Sequence, residues 1–288
     1  MNDKIDRRLD ARIVHSAHDE VKAIQTLLAD VYKDAGDGRT LVRELVQNAD
    51  DARASKLIFV ILEDGWSGAQ NGLLHGPALL VLNDGPFAGT DRDALHRALG
   101  GSKAEDAEKI GRFGIGLKSV FHICEAIVYL GCEEGTLRPG VLNPWAGTGE
   151  QGNADPLHPD WDTIENDDLG RLLGLATQLF GTFDDGLLLW IPLRSEHHRD
   201  RADEGRYGLG QFCPDPHAVR KWFDRSASLT LLLAQCGYLL SIEANSATAA
   251  DSLASRTQIA LVTRPGVQSG AWLGRYRDDD PVPDRTFQ

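Results

Sequence analysis

The sequence is poor in cysteine, in basic residues and in long apolar runs, and each shortage excludes a class of protein. Its 288 residues include only four cysteines and no C-x-x-C pair, so neither a disulfide framework nor a zinc ribbon is indicated. A formal charge of −13 argues against a nucleic-acid surface as the main function. No apolar run approaches the length of a membrane-spanning helix, and the N-terminus is too charged for a signal peptide. We therefore expect a cytoplasmic protein with no membrane partner.

Helical and strand patterns alternate through most of the chain. Apolar residues at helical spacing predict helices over about 15–33, 41–55, 91–99, 115–123, 169–180 and 217–236. Apolar runs bounded by turn residues predict strands over about 56–64, 77–84, 125–131, 186–194 and 237–245. This alternation predicts an α+β fold in which helices pack on a sheet.

Two stretches lack such a pattern. Residues from Thr136 to about Asp168 are rich in Gly, Pro, Asn, Asp and Trp, which predicts an irregular insertion or long loop. Residues 246–288 are mostly polar, so we interpret them as a linker or as the start of a following region in a longer protein. The folded domain is accordingly assigned to residues 1–245.

Three polar residues share one face of the helix predicted in the stretch LVRELVQNADDARAS. At about 100° per residue, Glu44, Asn48 and Asp51 fall within a stripe roughly 60° wide. Apolar residues occupy the adjoining arc, so the stripe lies at the seam between core and solvent, where a cleft would run. Taken alone, the segment fits a helix with a plain polar flank equally well.

Two glycine-containing segments follow that helix. In VLNDGPF a strand runs directly into an N-D-G turn, and in GRFGIGLKSVFHI three glycines lead into a helix. Glycines at this spacing let a backbone approach phosphate oxygens, and the N-terminus of the following helix offers free N–H groups and a favourable dipole. The second segment therefore indicates an anion cradle.

Together the three segments resemble the motifs of the GHKL superfamily of ATPases, which includes gyrase, the large heat-shock chaperones, histidine kinases and MutL. ELVQNADDA resembles the N-box, NDG stands in the place of the D-x-G box, and GRFGIGL matches the G-x-x-G-x-G box. The residues of these three segments are most similar to those of the sacsin-like branch of chaperone-type ATP-binding domains. The resemblance implies the Bergerat ATP-binding fold, a two-layer α/β sandwich whose mixed, mostly antiparallel sheet is covered by helices. It also implies a mobile lid over about 86–110.

The resemblance assigns roles on the helical stripe. Glu44 matches the family's general base, which polarises a water for attack on the terminal phosphate. Asn48 matches the magnesium-binding residue, since one amide oxygen suits a cation that keeps part of its hydration shell. Asp51 is expected to support the adenine or lid side of the site, with a simple salt bridge as its alternative.

The D-x-G box departs from the family pattern. Asn83 stands where the family has the Asp that accepts a hydrogen bond from the adenine amino group, Asp84 takes the variable place, and Gly85 matches the glycine. An amide oxygen can accept that bond, while the amide nitrogen can also donate, so base selectivity stays open. Phe87 is expected either to pack on the purine or to anchor the turn.

Positive charge accompanies the glycines. It comes from Lys103, Lys109, Arg112 and Lys118, and Lys118, just inside the helix after Gly116, is the best candidate for neutralising phosphate charge, although most surface lysines have no specific role. The remaining residues expected to bind nucleotide are those of the glycine-rich box: Gly111, Arg112, Phe113, Gly114, Ile115 and Gly116.

The resemblance implies magnesium-dependent ATP binding and slow ATP hydrolysis. Lid closure would drive a conformational or dimerisation switch in a larger chaperone-like or bacterial defence protein, with a second copy or other domains as partners. A nucleotide-gated interaction module without turnover is the alternative. A histidine kinase is a distant one, because the stretch before the N-box is too short for a dimerising hairpin.

Overall fold

Seven strands form one sheet in the structure of this chain, which is a computed structural model. It describes residues 21, 24–26, 28, 38–99, 115–146, 161, 163–195, 209–210 and 212–265. The strands are β1 (Lys56–Leu62), β2 (Ala78–Asn83), β3 (Ile127–Glu133), β4 (Thr136–Leu142), β5 (Gly186–Pro192), β6 (Ser241–Ala247) and β7 (Thr257–Thr263). Their order is β4-β3-β5-β2-β1-β6-β7, and all neighbours are antiparallel except β1 and β6. The predicted α+β class and the mixed, mostly antiparallel sheet are thus confirmed.

Six helices of the described residues are α1 (Arg39–Asp51), α2 (Gly89–Leu99), α3 (Ile115–Lys118), α4 (Asn166–Phe180), α5 (Pro216–Lys221) and α6 (Ser226–Gln235). Short 3-10 helices cover Gly72–Leu74, Ser119–His122 and Ala250–Ser255. Residues 21, 24–26 and 28 are also helical, and the rest of the first predicted helix lies outside the described residues.

The core is densest at the two central strands. All six residues of β2 are buried, and in β1 only the first residue, Lys56, is partly exposed. Such continuous apolar runs belong to strands that are covered on both faces. The core fixes the ends of these strands, and the candidate site lies at the end of β2.

Two strands of the sheet, β4 and β7, were not predicted. β4 lies inside the stretch expected to be an irregular insertion, and it pairs with β3 over its whole length, with Pro139 opposite Leu130. Strand propensity does not predict β4, because it contains Pro139 and Gly140 and both residue types are depleted in strands. The strand tolerates them since it is at the edge of the sheet, where a proline costs no central ladder hydrogen bond.

The helix predicted over 217–236 is two helices. α5 ends at Lys221 and α6 begins at Ser226, and between them the chain turns to bury Phe223 completely. The ring of Phe223 packs on Phe59 of β1 with 4.9 Å between centroids. Burial of this aromatic ring against the sheet takes the place of a continuous helix.

The boundary at residue 245 is wrong. β6 continues to Ala247, and β7 pairs antiparallel with it inside the region interpreted as a linker. Buried and exposed positions alternate over the second half of β7, with Ala260 and Val262 buried and Leu261 and Thr263 exposed, as in an edge strand with one buried face. The sheet, and with it the domain, extends at least to Thr263.

Candidate functional site

The polar stripe of α1 lies at the seam that its periodicity predicted. Leu41, Leu45 and Ala49 are buried, Glu44 and Asn48 are half-buried, and Asp51 is exposed. The helix therefore fixes its core face by burial and leaves the stripe beside solvent. Its side chains are positioned by the fold but still reachable by a ligand.

Asn48 carries an unsatisfied polar atom. Its side-chain nitrogen is buried and has no hydrogen-bond partner among the described residues. A buried polar group without a partner costs roughly 1–3 kcal/mol, so such groups in native proteins usually meet a water, an ion or a ligand. The amide can also rotate to present its oxygen in the same place. This side chain is suited to receive a polar ligand.

The N-D-G turn is stabilised by its own first side chain. The Oδ1 atom of Asn83 accepts a hydrogen bond of 3.0 Å from the backbone N–H of Gly85. One lone pair of the predicted adenine acceptor is therefore already used within the turn. The second lone pair and the amide N–H groups are what Asn83 has left for a base.

Asp84 attaches the turn to the sheet. Its carboxylate accepts hydrogen bonds from the backbone N–H of Ser55 at 2.7 Å and of Lys56 at 2.9 Å, and from the Ser55 hydroxyl. These groups start β1, so the carboxylate holds the end of β2 beside the beginning of its neighbour. Asp84 therefore has a structural role at the start of β1.

Gly85 brings the turn into contact with α1. A Cβ atom at this position would lie 2.5 Å from the carbonyl oxygen of Ala52, the residue that caps the helix. Real Cβ atoms do not approach so closely, so only glycine allows this approach. The C-terminal end of α1 and the N-D-G turn are in direct contact here.

Phe87 anchors the segment after the turn. Its side chain is 1% exposed and packs against Tyr129 with 5.8 Å between ring centroids. The ring fills the space above Gly131, where a Cβ would lie 2.0 Å from it. Of the two roles expected for Phe87, the structure shows the anchoring one, because a ring enclosed in this way is not free to stack on a purine.

The first half of the expected lid is also packed. The carboxylate of Asp91 accepts from the Ala88 N–H at 2.9 Å in the first turn of α2, and Leu95 is fully buried. Further along, His96 Nε2 lies 2.8 Å from the hydroxyl of Tyr129. Burial, and then the nearby Arg92 guanidinium, lower the pKa of His96, so its ring stays neutral near pH 7. Residues 86–99 of the expected lid are thus packed in this structure, residues 100–110 lie outside the described part, and movement of the lid on nucleotide binding stays a prediction.

The glycine-rich box is only partly described. Lys103, Gly111, Arg112, Phe113 and Gly114 lie outside the described residues. Ile115 and Gly116 begin α3, and the half-buried Lys118 ends it. α3 packs against both α1 and α2. The helix that follows the box thus lies beside the helix with the polar stripe.

A cleft of about 380 Å³ runs between α1 and α6. Glu44, Asn48 and Asp51 line it from α1, and Cys236 lines it from the end of α6. Burial raises the pKa of the Cys236 thiol to about 12, so the sulfur is protonated and not a nucleophile. The cleft gives solvent access to the stripe.

The described residues contain no group of three or more His, Cys, Asp or Glu side chains arranged to hold a metal ion. A protein-only metal cage is therefore absent from this part of the chain. Magnesium commonly binds through one or two protein oxygens, with phosphates and waters completing its shell, so Asn48 alone fits such a role. None of the described helices is long and apolar enough to cross a membrane.

A buried ion pair was not predicted from the sequence. Glu125 and Arg194 are 4% and 3% exposed and bond to each other behind the 3-10 helix that follows α3. They stand 69 residues apart, so no local pattern connects them. The one available signal was the charged residue that ends the apolar run GLLLWIPLR.

Comparison with known proteins gives three findings. Residues 20–138 match the family model described as Sacsin domain. A segment of the chain is 36% identical over 97 residues to sacsin from Homo sapiens, a match that covers 30% of this chain and 2% of sacsin. The N-terminal domain of a DNA repair protein has a similar structure at 12% identity and a TM-score of 0.43, covering 87% of this chain and 58% of that one. The chain thus contains a sacsin-like region and spans a small fraction of the length of sacsin.

Proposed function

We propose that this chain is a sacsin-like ATP-binding domain that binds ATP with magnesium and hydrolyses it slowly. The observation that supports the proposal most directly is the position of Asn48. Its side-chain nitrogen is buried and has no partner in the described part of the chain, it shares a stripe with Glu44, and α1 ends at the carbonyl against which Gly85 packs. A helix with a plain polar flank, the alternative for this segment, would have no reason to keep a buried amide unsatisfied.

Asn48 would hold the metal ion. Magnesium, when bound, neutralises charge on phosphate oxygens and orients them for attack. The chain's own contribution is a single amide on a helix that the core keeps in place. One uncharged protein ligand leaves room for the phosphate and water oxygens that magnesium prefers.

Glu44 would act as the general base. Its carboxylate lies one helical turn before Asn48 on the same stripe, is half-buried, and borders the cleft between α1 and α6. A carboxylate held this way can accept a proton from a water and orient it for in-line attack. A nucleotide-gated module without turnover would use the same binding residues and would not need this one.

The adenine side would be formed by the N-D-G turn. The turn is fixed from two directions, by Asp84 to the start of β1 and by Gly85 to the end of α1. Such a preorganised turn loses little freedom when a base binds. Asn83 is the side chain of the turn that would meet the amino group of adenine.

Substitution of Asn83 tests that contact. Asn83→Ala should weaken ATP binding by about 1–3 kcal/mol, the cost of losing a buried hydrogen bond. Asn83→Asp should keep or improve it, because a carboxylate keeps accepting from Gly85 and from an amino group. GTP presents a carbonyl at that ring position, so the Asp variant should reject GTP more firmly than the wild type does.

Competition between ATP and GTP on the wild type and the two variants measures these differences. Stability of each variant by thermal unfolding is the necessary control, since Asn83 also holds Gly85. If Asn83→Ala folds normally and binds ATP as the wild type does, the base is not read by this residue.

ATP binding and turnover of the unmodified chain test the proposal itself. Calorimetric titration with ATP should show saturable binding that is much weaker without magnesium, and phosphate release should be slow and dependent on magnesium. Adenosine should bind more weakly than ATP, because it lacks the phosphates that the metal and the glycine-rich box would contact. No saturation by ATP and magnesium at about 1 mM, a free energy near −4.1 kcal/mol, would refute nucleotide binding. Binding without any phosphate release would support the nucleotide-gated module.

The larger role proposed for the domain is a switch. ATP binding would change how the domain contacts a second copy or neighbouring domains of a chaperone-like or defence protein. The sacsin-like region supports the chaperone-like context.

A further inference from the structure

The guanidinium group of Arg194 is fully satisfied inside the protein. Its Nη1 atom donates to the carbonyl oxygens of His122 and Phe212 at 2.7 and 2.9 Å. Its Nη2 atom donates to those of Phe121 and Cys124 at 2.6 and 2.7 Å. The remaining donor, Nε, bonds to the carboxylate of Glu125. All five N–H groups of the side chain therefore have partners.

Glu125 completes the cluster from the other side. One carboxylate oxygen bonds to Arg194, and the other accepts from the indole of Trp145 at 3.0 Å and from the backbone N–H of Leu209 at 3.1 Å. Both charges are thus paired and hydrogen-bonded, which is the condition under which a buried ion pair is tolerated. Trp145, like the pair, is buried.

Three of the four carbonyl groups belong to one short stretch of chain. Phe121 and His122 end the 3-10 helix Ser119–His122, and Cys124 follows it. That 3-10 helix continues α3 without a break, so 115–122 forms one helical segment. A cation at the C-terminal end of a helix satisfies its last carbonyls and complements its dipole. In addition, the backbone N–H of Arg194 donates to Ile123.

The cluster is separate from the contacts that fix the N-D-G turn. That turn is held by Asp84 on Ser55 and Lys56 and by Gly85 on Ala52. Arg194 instead joins the end of β5 to the far end of segment 115–122, whose near end begins with Ile115 and packs beside α1. The two ends of the candidate site are therefore anchored by different residues.

We infer that Arg194 is a positioning residue for the phosphate end of the site, an inference that rests on the proposed nucleotide binding. It holds segment 115–122 against α1 from behind, at the end remote from the ligand. Lysine is no substitute, because an ammonium has three donors and no planar fork to reach four carbonyls and a carboxylate at once. Loss of Arg194 should therefore disturb binding of the phosphates and leave binding of the adenosine moiety unchanged.

The test compares ATP with adenosine on matched variants. In Arg194→Lys, ATP affinity should fall about tenfold to hundredfold, which corresponds to ~1.4–2.8 kcal/mol and to the loss of one or two hydrogen bonds to charged phosphate. Adenosine affinity should stay within about twofold, which corresponds to only ~0.4 kcal/mol. Trp145→Phe removes one hydrogen bond from Glu125. It should also lower ATP affinity relative to adenosine affinity, but by a smaller factor than Arg194→Lys does. Glu133→Gln is the control, because it breaks the partly exposed ion pair with Arg138, at 3.3 Å, on the hairpin of β3 and β4.

Hydrogen exchange gives a readout that does not need a nucleotide. In Arg194→Lys the amides of 115–125 should exchange faster, whereas those of β1 and β2 should keep wild-type rates. Equal losses of ATP and adenosine affinity, or unchanged exchange over 115–125 in a folded variant, would overturn the inference. If Arg194→Lys does not fold, Trp145→Phe decides by the same two measurements. If the wild type binds no ATP, the proposed function fails, and the exchange pattern alone decides whether Arg194 positions the segment.

Discussion

Glu44→Gln is expected to lower the rate of phosphate release from ATP by about 10²–10⁴-fold, the usual contribution of a general base. ATP affinity should change little, because the amide is isosteric with the carboxylate and the base acts only in the chemical step. Calorimetry measures the affinity, and single-turnover phosphate release measures the rate. Glu63→Gln is a matched control, since that side chain is exposed and lies just after β1.

Two outcomes would contradict the assignment. Turnover near the wild-type rate in Glu44→Gln would remove Glu44 from the role of base. A large loss of ATP affinity with unchanged turnover at saturation would show that the side chain serves binding. We expect neither outcome, because Glu44 is half-buried beside the cleft, where its carboxylate can reach a water next to a bound nucleotide.

Asn48→Ala is expected to weaken magnesium-dependent ATP binding by at least about tenfold, or ~1.4 kcal/mol. The metal would lose its protein ligand, whereas binding measured in the presence of a chelator should hardly change. Thermal stability should rise or stay constant, because the substitution removes a buried polar group that has no partner among the described residues. An increase in stability with a loss of affinity is characteristic of a residue retained for its ligand.

Gln47→Ala is the control for a general change in the lining of the neighbouring cleft. Gln47 is exposed, lies next to Asn48 on α1 and also lines the cleft between α1 and α6. It should leave the magnesium dependence intact. If Asn48→Ala kept ATP affinity within about twofold of the wild type in magnesium, the metal would be bound elsewhere.

The sequence predicted the parts of the fold that depend on local periodicity. α1 and its seam follow from the spacing of Leu41, Leu45 and Ala49, and β1 and β2 follow from uninterrupted apolar runs. These elements carry Asn48 and the N-D-G turn, so half of the candidate site was predictable. The sacsin-like match over 20–138 agrees with that part of the reasoning.

The remaining features depend on contacts distant in sequence. The sequence left two roles open for Phe87. The choice between them depends on Gly131, 44 positions later, which leaves the space that the Phe87 ring fills. The role of Arg194 depends on carbonyl groups about 70 residues before it. Neither of these contacts produces a periodic pattern in the sequence, because the topology of the fold decides which distant residues meet. Within the lid that the resemblance implies, Leu95 and His96 hold α2 to the sheet, and these contacts are likewise distant in sequence.

The proline in β4 has a consequence for the protein in solution. An edge strand presents unpaired N–H and C=O groups to which another chain can add, and this addition is a common start of aggregation. Pro139 has no N–H, and β4 forms one edge of the sheet. The residue that obscured the strand in the sequence therefore interrupts the template that β4 would offer to other chains. Replacing it with valine would improve the strand pattern and at the same time make that edge more prone to aggregate.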